Sequence, residues 1–202
     1  MFILSELSDL IRIPPHTFNI PIQHAITDEL NKKYSNKVIP KLGLCITIWD
    51  LLDIKDGLLK PGDGGSYVEV KFRLIIFKPF VGEILTGWVT ENNAKGIKIR
   101  LEFFDDIWIP ENYLFENCEF RENEQAWVWK TESDELFIDV NEKIRFKVEK
   151  ENFYNIKPKN SSEAMGKFSD DDDDKEKEPK LPAYSIIASC QVSGLGCVSW
   201  WD

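Results

Sequence analysis

The feature that most constrains the fold is the segment Gly82 to Pro110, with the sequence GEILTGWVTENNAKGIKIRLEFFDDIWIP. Apolar and polar residues alternate along most of it, which is typical of β-strands with one buried face. The pattern predicts three strands in a row, at Gly82–Val89, Gly96–Phe104 and Ile107–Pro110. From Val81 onward the chain therefore reads as all-β.

Three later segments extend this arrangement. Lys143–Lys150 alternates strongly, Ala183–Cys190 is predicted as the last strand, and a further hairpin is predicted around Ala126–Lys130. Five principal strands with a long detour indicate a five-stranded OB-fold barrel.

Residues 1–80 mix helix and strand. Strands are predicted at Phe2–Ile13, Gly43–Ile54 and Tyr67–Phe77, and a helix is predicted within Ile20–Tyr34. The strand at Gly43–Ile54 is largely apolar, so we expect it to be mostly buried. This order of elements predicts a small α+β unit with a modest core.

The helix and one loop of this unit carry further information. Ile22, Ile26, Leu30 and Tyr34 fall on one stripe, which predicts the helix face that packs on the sheet. The loop Asp56–Ser66, DGLLKPGDGGS, is dense in glycine and proline and is therefore predicted to be a turn or an exposed tip.

Composition limits the classes of function. The chain has 202 residues, a formal net charge of -10 and 43% hydrophobic residues. Phosphate binding depends on lysine and arginine, so any contact with nucleic acid must come from a local patch. The N-terminus lacks the features of a signal peptide and no apolar run has the length of a membrane span, so we expect a soluble cytosolic or nuclear protein.

Metal and cofactor sites are not predicted. A zinc site needs clustered thiolates or imidazoles, and this chain has no C-x-x-C pair. Scattered cysteines of this kind fit buried thiols in a reducing compartment. The residues concerned are Cys45, Cys118, Cys190, Cys197, His16 and His24.

One face of the predicted barrel is basic and aromatic. Since side chains alternate along a strand, Lys98 and Arg100 face away from the core, and so does Trp108. Arg145 and Lys147 from the fourth barrel strand could join them. OB folds bind single-stranded nucleic acid on such a face, where cations follow the backbone and aromatic rings stack on bases. The alternative is an ordinary solvated face.

Other tryptophans allow more than one interpretation. Trp127 and Trp129 share one face of the predicted hairpin. Three interpretations are open: the two rings are a stacking platform for bases, they pack the hairpin, or they belong to a partner interface. Trp200 and Trp201 point to opposite sides of an extended chain. We expect one to pack on the barrel and the other to be free for a partner, because tryptophan is enriched at interface hot spots.

An enzyme is not predicted. Asp105 and Asp106 are adjacent and diverge in a strand, so they cannot act as a paired acid and base. No serine or cysteine nucleophile has a plausible histidine partner. The stretch KPGDGGS lacks the Gly-Lys-Ser/Thr ending of a phosphate-binding loop.

The chain resembles a known family in several long segments. GEILTGWV, GIKI, FFDDIWIP and DVNEKIRFKVE resemble the OB domain of the RNA polymerase stalk subunit of eukaryotes and archaea. MFILSELSDLIRIPP, VIPKLGLCITIWDLLDI and LKPGDGGSYVEVKFRLIIFKPFVGEI resemble its truncated RNP-like N-terminal domain. The ending GLGCVSWWD and a long acidic insertion are most similar to the RNA polymerase III version.

The resemblance implies an α+β, truncated RNP-like domain at 1–80 that docks on the polymerase core, followed by an all-β OB-fold barrel at 81–202. Within the barrel domain, the polar and acidic composition of the segment at about 159–180 predicts a disordered insertion, because it cannot bury enough apolar surface to order. It implies a noncatalytic nuclear subunit that pairs with a smaller helical stalk subunit, supports initiation and contacts emerging RNA. Initiation factors are possible further partners.

The resemblance also suggests residue roles. For docking on the core we select the tip loop, Leu58 to Tyr67, for which the alternative is an ordinary glycine-rich hairpin. For RNA we select the outer face of the barrel. The core-binding residues would be Leu58, Leu59, Lys60, Pro61, Gly62, Gly64 and Gly65. The RNA-binding residues would be Lys95, Lys98, Arg100, Trp108, Arg145 and Lys147. Related ribosomal OB domains carry aromatic residues where this chain has Lys95 and Lys98, which predicts weaker stacking and a stronger dependence on charge.

Two other interpretations stay open. One is a free-standing OB-fold RNA-binding or translation factor, and the other is the equivalent stalk subunit of another RNA polymerase.

Overall fold

The computed structural model describes residues 1–131, 134–154 and 182–201. The segment predicted to be a disordered acidic insertion, at about 159–180, lies outside the described residues. The chain divides into two compact units, Met1–Phe80 and Val81–Asp202. No helix of the described part is long and apolar enough to cross a membrane.

The first unit is an antiparallel sheet with one α-helix. Its elements in chain order are β1 (Phe2–Ile13), α1 (Ile22–Tyr34), β2 (Val38–Ile39), β3 (Gly43–Ile54), β4 (Leu58–Leu59) and β5 (Ser66–Phe77). The strands lie in the order β1-β5-β3-β2, and β4 pairs with β5. β1 and β5 are matched along their whole lengths, from Phe2 opposite Phe77 to Ile13 opposite Ser66.

The core of this unit lies between α1 and one face of the sheet. Ala25, Ile26 and Leu30 of the helix are buried, as are alternate residues of β5 such as Val70 and Phe72. The predicted helix stripe was wrong at Ile22, which is 50% exposed. As the first residue of the helix, it lies at an apolar groove beside the tip loop instead of on the sheet.

The prediction that β3 is mostly buried was wrong for its second half. Trp49 and Leu52 are exposed, whereas the first three residues of the strand are buried. The cause is a series of three β-bulges in the pairing of β3 with β5. A bulge inserts a residue that has no partner and changes the direction of its side chain, so apolar composition ceases to indicate burial.

The described part of the second unit contains nine strands. They are β6 (Ile84–Asn93), β7 (Gly96–Arg100), β8 (Ile107–Pro110), β9 (Cys118–Arg121), β10 (Ala126–Lys130), β11 (Glu135–Ile138), β12 (Lys143–Phe153), β13 (Tyr184–Ser189) and β14 (Gly196–Cys197). The strands β13-β8-β7-β6-β12 are paired in this order, and β12 also pairs with β13.

These pairings close a five-stranded barrel. All of its neighbours are antiparallel except β8 and β13, which are parallel. The predicted fold class, an α+β N-terminal part followed by an all-β OB-fold barrel, is confirmed. β9, β10 and β11 form a separate three-stranded sheet, which accounts for the predicted detour.

β7 is shorter than predicted, since it ends at Arg100 and not at Phe104. The Leu101 N–H donates to the Phe104 carbonyl at 2.6 Å, so residues 101–104 form a local turn instead of continuing the ladder. The turn leaves Phe103 exposed while Leu101 and Phe104 stay buried.

Candidate functional site

The outer face of the barrel presents the side chains that alternation assigned to it. Ile97 and Ile99 of β7 are fully buried, and Lys98 and Arg100 project from the opposite face, where Arg100 is exposed. The same rule applies on β8, where Trp108 lies between the buried Ile107 and Ile109 and is itself half-buried.

The sheet register brings these side chains together in pairs. Lys98 lies directly opposite Trp108 in the β7–β8 pairing. Arg100 lies directly opposite Trp88 in the β6–β7 pairing. Directly opposed residues have Cβ atoms about 4.5–5.5 Å apart, so each cationic residue and its tryptophan occupy adjoining positions.

Sequence reasoning did not select Trp88 and Lys143 for this face. Lys143 lies opposite Trp88 in the β6–β12 pairing, and its Nζ is 6.0 Å from the centroid of the Trp88 ring. This distance is at the limit of a cation–π interaction. The signal was present, because alternation in GEILTGWV places Trp88 on the face opposite to Leu85 and Val89.

The remaining predicted RNA-binding residues are not paired with a tryptophan in the sheet register. Lys95 lies in the turn between β6 and β7 and is exposed. Arg145 is half-buried on β12, opposite Thr86. Lys147 forms an ion pair with Glu149 at 3.0 Å, so its charge is partly compensated.

The charges of the central pair of cations are less compensated. Within the described chain, Lys98 and Arg100 form no ion pair, in contrast to Lys147. Lys98 interacts electrostatically with Asp106. Burial and the neighbouring Asp105 raise the pKa of Asp106, and Lys98 acts in the opposite direction.

The tip loop is strongly exposed. Leu58 and Leu59 expose 71% and 72% of their surface, although they pair with β5 through Tyr67 and Ser66. Of the other residues selected for core binding, Gly65 is buried and four are exposed, namely Lys60, Pro61, Gly62 and Gly64. Two adjacent leucines with this exposure are unusual for a solvated turn.

Asp63 anchors the tip loop. This role of Asp63 was not predicted from the sequence. Its carboxylate accepts hydrogen bonds from Arg12 at 2.9 and 2.5 Å, from the Tyr67 hydroxyl at 2.6 Å and from the Gly65 N–H at 3.1 Å. The Arg12 guanidinium, with help from Tyr67 and Gly65, holds the pKa of Asp63 well below its usual range. These hydrogen bonds hold the loop to β1 and β5.

An apolar groove of about 360 Å³ borders the loop. Leu59 lines it together with Phe18, Ile20 and Ile22, which are 52%, 44% and 50% exposed. Part of this signal was in the segment TFNIPI, because Phe18 lies between the predicted first strand and the predicted helix and belongs to neither. The apolar surface is consequently larger than the loop alone.

The tryptophans left open by the sequence have separate environments. Trp127 is buried and its indole N–H donates to the Asn93 carbonyl at 3.1 Å, so it packs the inserted sheet. Trp129 stacks on Phe115 with a centroid distance of 4.3 Å, and Trp200 lies 5.6 Å from Trp129. Trp201 is 41% exposed. Trp127 therefore cannot form a stacking platform with Trp129.

The described residues contain no group of three or more histidine, cysteine, aspartate or glutamate side chains arranged to hold a metal ion. All four cysteines are free, and three are buried.

Comparison with known proteins identifies the family. The family model described as "RNA polymerase III subunit Rpc25" matches residues 83–201. A second model, "SHS2 domain found in N terminus of Rpb7p/Rpc25p/MJ0397", matches residues 8–64.

Full-length relatives agree with these models. The chain is 49% identical to DNA-directed RNA polymerase III subunit RPC8 of Saccharomyces cerevisiae, over 100% of both chains. It is 44% identical to rpc8 of Schizosaccharomyces pombe, again over 100% of both, and 40% identical to RPC8 of Bos taurus, over 100% of this chain and 98% of the relative. The chain therefore belongs to the RNA polymerase III subunit Rpc25 family, as the resemblance had indicated.

Proposed function

We propose that this chain is a noncatalytic stalk subunit of nuclear RNA polymerase III. It pairs with a smaller helical stalk subunit, docks on the polymerase core through residues 1–80 and contacts emerging RNA through the barrel. Initiation factors are further candidate partners. Membership of the Rpc25 family supports the assignment to this polymerase.

The observation that carries the RNA contact is the pairing of cations with indoles on the outer face. Lys98 lies opposite Trp108, and Trp88 lies between Arg100 and Lys143. The two tryptophans lie on either side of β7 and two residues apart along it, which corresponds to roughly 12 Å. Each ring offers a base a stacking surface beside a cation for the adjoining phosphate.

The tip loop supports docking on the core. Leu58, Leu59 and the neighbouring groove present apolar surface on a base that Asp63 fixes. A preorganised apolar surface loses little conformational entropy on binding. We therefore assign the core contact to Leu58 and Leu59, with Lys60, Pro61 and the loop glycines forming the rim.

The experiment is affinity purification of the tagged full-length chain from nuclear extract, followed by mass spectrometry and by crosslinking of nascent RNA. We expect polymerase III subunits in near-stoichiometric amounts and RNA adducts on Trp108 or Trp88. Recovery of the chain alone, or with ribosomes, would contradict the proposal and favour a free-standing OB-fold RNA-binding or translation factor.

A further inference from the structure

The three bulges of β3 follow a regular pattern. Cys45 and Thr47 of β3 lie opposite consecutive residues of β5, so that Ile46 between them has no partner. The same shift occurs between Ile48 and Asp50 and again between Leu51 and Asp53. The unpartnered residues are Ile46, Trp49 and Leu52, which are three apart and all apolar.

Two of these residues are strongly exposed. Trp49 and Leu52 are 59% and 44% exposed, and Ile46 is half-buried. β-Bulges commonly redirect a side chain for a purpose. Adjoining large apolar side chains at the surface indicate an interaction site more often than isolated ones do. We call the three residues the bulge ridge.

The second half of β3, the strand that carries the bulge ridge, has a free edge. At its start, β3 pairs with β2, and the Cys45 N–H donates to the Lys37 carbonyl at 2.9 Å. The Ile48 N–H donates to the Asn31 side chain at 3.2 Å. From Trp49 to Ile54, the edge away from β5 has no backbone partner among the described residues. Such an edge can accept another strand.

A groove of about 510 Å³ runs along this free edge. One wall is the strand from Ile48 to Ile54, and the other is formed by Gln23, His24 and Thr27 of α1. The groove thus combines unpaired backbone groups with the apolar surface of Trp49 and Leu52, which are the two requirements for adding a strand to a sheet.

The charges around the groove select the ligand. Asp28 and Asp53 are exposed and form no ion pair with any described residue. Asp28 follows Thr27 on α1 and lies one turn beyond His24, and so on the same side of the helix. Asp50 is occupied, since it forms an ion pair with Arg73. Lys71 lies opposite Asp53 and Lys32 interacts with Asp28, but these two lysines already form ion pairs with Glu6 and Glu29. The net charge at the rim is therefore negative and favours a basic ligand.

We propose that the groove binds an extended segment of another polypeptide of the polymerase complex, which pairs with β3 as an added strand. The segment places an apolar side chain against Trp49 and Leu52 and carries lysine or arginine residues toward Asp28 and Asp53. This inference rests on the proposed function for the identity of the complex, but it assigns a surface separate from the tip loop.

The test places a photoreactive benzoylphenylalanine at Leu52 in the full-length chain and irradiates the affinity-purified complex. Chains with the same group at Leu58 or at Leu10 serve for comparison, because Leu10 is 55% exposed on β1 of the same sheet. We expect the Leu52 probe to crosslink to one segment of another subunit, which mass spectrometry identifies as rich in alternating apolar and basic residues. The Leu10 probe should give at least tenfold less of this product.

The outcomes separate the two proposals. If Leu58 crosslinks to polymerase and Leu52 does not, the groove is unoccupied and only this inference is overturned. If neither crosslinks and no polymerase subunit copurifies, the proposed function is overturned as well. Crosslinks from Leu52 to a second copy of this chain, to its own residues 155–181 or to an acidic segment would also overturn the inference.

A variant supplies a second measurement. Trp49→Glu in the chain that carries the Leu52 probe should lower the crosslink yield at least tenfold, because it places a charge on the bulge ridge. Leu10→Glu should leave the yield unchanged. Since both side chains are exposed, neither change should alter the melting temperature of the purified chain, and equal yields from both variants would overturn the inference.

Discussion

Lys98 and Trp108 lie directly opposite each other on neighbouring antiparallel strands. An ammonium group and an indole ring thus occupy adjoining positions on the outer face of the barrel. The same relationship links Arg100 and Trp88, two residues further along β7. On a chain with a net charge of -10, we propose these two pairs as the local site for a polyanion, because net negative charge disfavours polyanion binding elsewhere.

The first prediction concerns the cations. Lys98→Gln and Arg100→Gln should each weaken binding of a labelled oligouridine by the stalk pair and lower the slope of log K against log salt by about 0.7, because each removes one phosphate contact with a single strand. Arg145→Gln should act in the same direction. Fluorescence anisotropy over a salt series measures the slope.

Lys147→Gln is the matched control for these changes. Lys147 lies on the same strand as Arg145, but Glu149 already compensates its charge. We expect its effect on the slope to be clearly smaller than that of Arg100→Gln. Equal slopes for all four variants and the unmodified chain would mean that this face is only solvated.

The second prediction separates stacking from charge. Trp108→Ala should weaken oligouridine binding by about 1–3 kcal/mol, the usual loss for one stacked base, while the salt slope stays unchanged. Trp88→Ala should act similarly. Trp49→Ala is the control, because Trp49 is exposed but belongs to the first unit. A loss of affinity with Trp49→Ala as large as with Trp108→Ala would argue against a defined stacking face.

Alternation was sufficient to predict the strands and the outward direction of Lys98, Arg100 and Trp108. It could not predict that Lys98 faces Trp108, because register depends on where the turn after Arg100 closes. That turn forms through the Leu101 N–H and the Phe104 carbonyl, inside a segment whose composition still favours a strand. Local pattern therefore identifies the face but not its pairs.

Two other features could not be predicted from residue patterns, because both depend on contacts between distant parts of the chain. The bulge ridge depends on three mismatches between strands, and nothing in the apolar run ITIWDLL shows which residues lack a partner. The anchor of the tip loop joins Asp63 to Arg12, which is far away in sequence. Both features arise from long-range pairing, which a single sequence does not display.

The third prediction concerns backbone conformation at Gly96. Its φ is +146°, and a Cβ there would lie 2.1 Å from the Ile109 carbonyl oxygen. Gly96→Ala should therefore force β7 and β8 apart and reduce the free energy of unfolding by about 1–3 kcal/mol or more. Urea denaturation of the full chain, followed by tryptophan fluorescence, measures the loss.

Gly82→Ala provides the comparison. Gly82 also has a positive φ, +89°, but a Cβ there would meet no atom within 4 Å. Only the conformational strain remains, which costs roughly 1–2 kcal/mol. If Gly82→Ala were as destabilising as Gly96→Ala, close approach of the strands would not explain the glycine.

The fourth prediction concerns the pH dependence of the tip loop. Because Arg12 depresses the pKa of Asp63 in the folded state, the stabilisation is fully present above the unfolded pKa of about 3.9. It decreases as the pH falls below that value toward the lower folded pKa. The melting temperature should thus be higher for the unmodified chain than for Asp63→Asn at neutral pH, and the difference should shrink below about pH 4.

Asp56→Asn is the control for this series. Asp56 is exposed in the same loop region and has no hydrogen bond or ion pair with a described residue. Its substitution should leave the melting temperature unchanged across the pH range. A difference between Asp63→Asn and the unmodified chain that persists undiminished to pH 2 would show that the carboxylate charge is not the anchor.

The fifth prediction tests the tip loop as the contact with the polymerase core. Leu58→Glu and Leu59→Glu together should reduce copurification of polymerase III core subunits at least tenfold, because a charge in an apolar contact costs more than the roughly 1.4 kcal/mol that a factor of ten requires. The melting temperature of the purified chain should not change, since both leucines are more than 70% exposed, at 71% and 72%. Binding of oligouridine should also remain, because these residues lie outside the second unit.

Leu10→Glu, at an exposed position on β1, is the control and should leave copurification intact. Undiminished recovery of the core with the double variant would mean that the tip loop is not the contact.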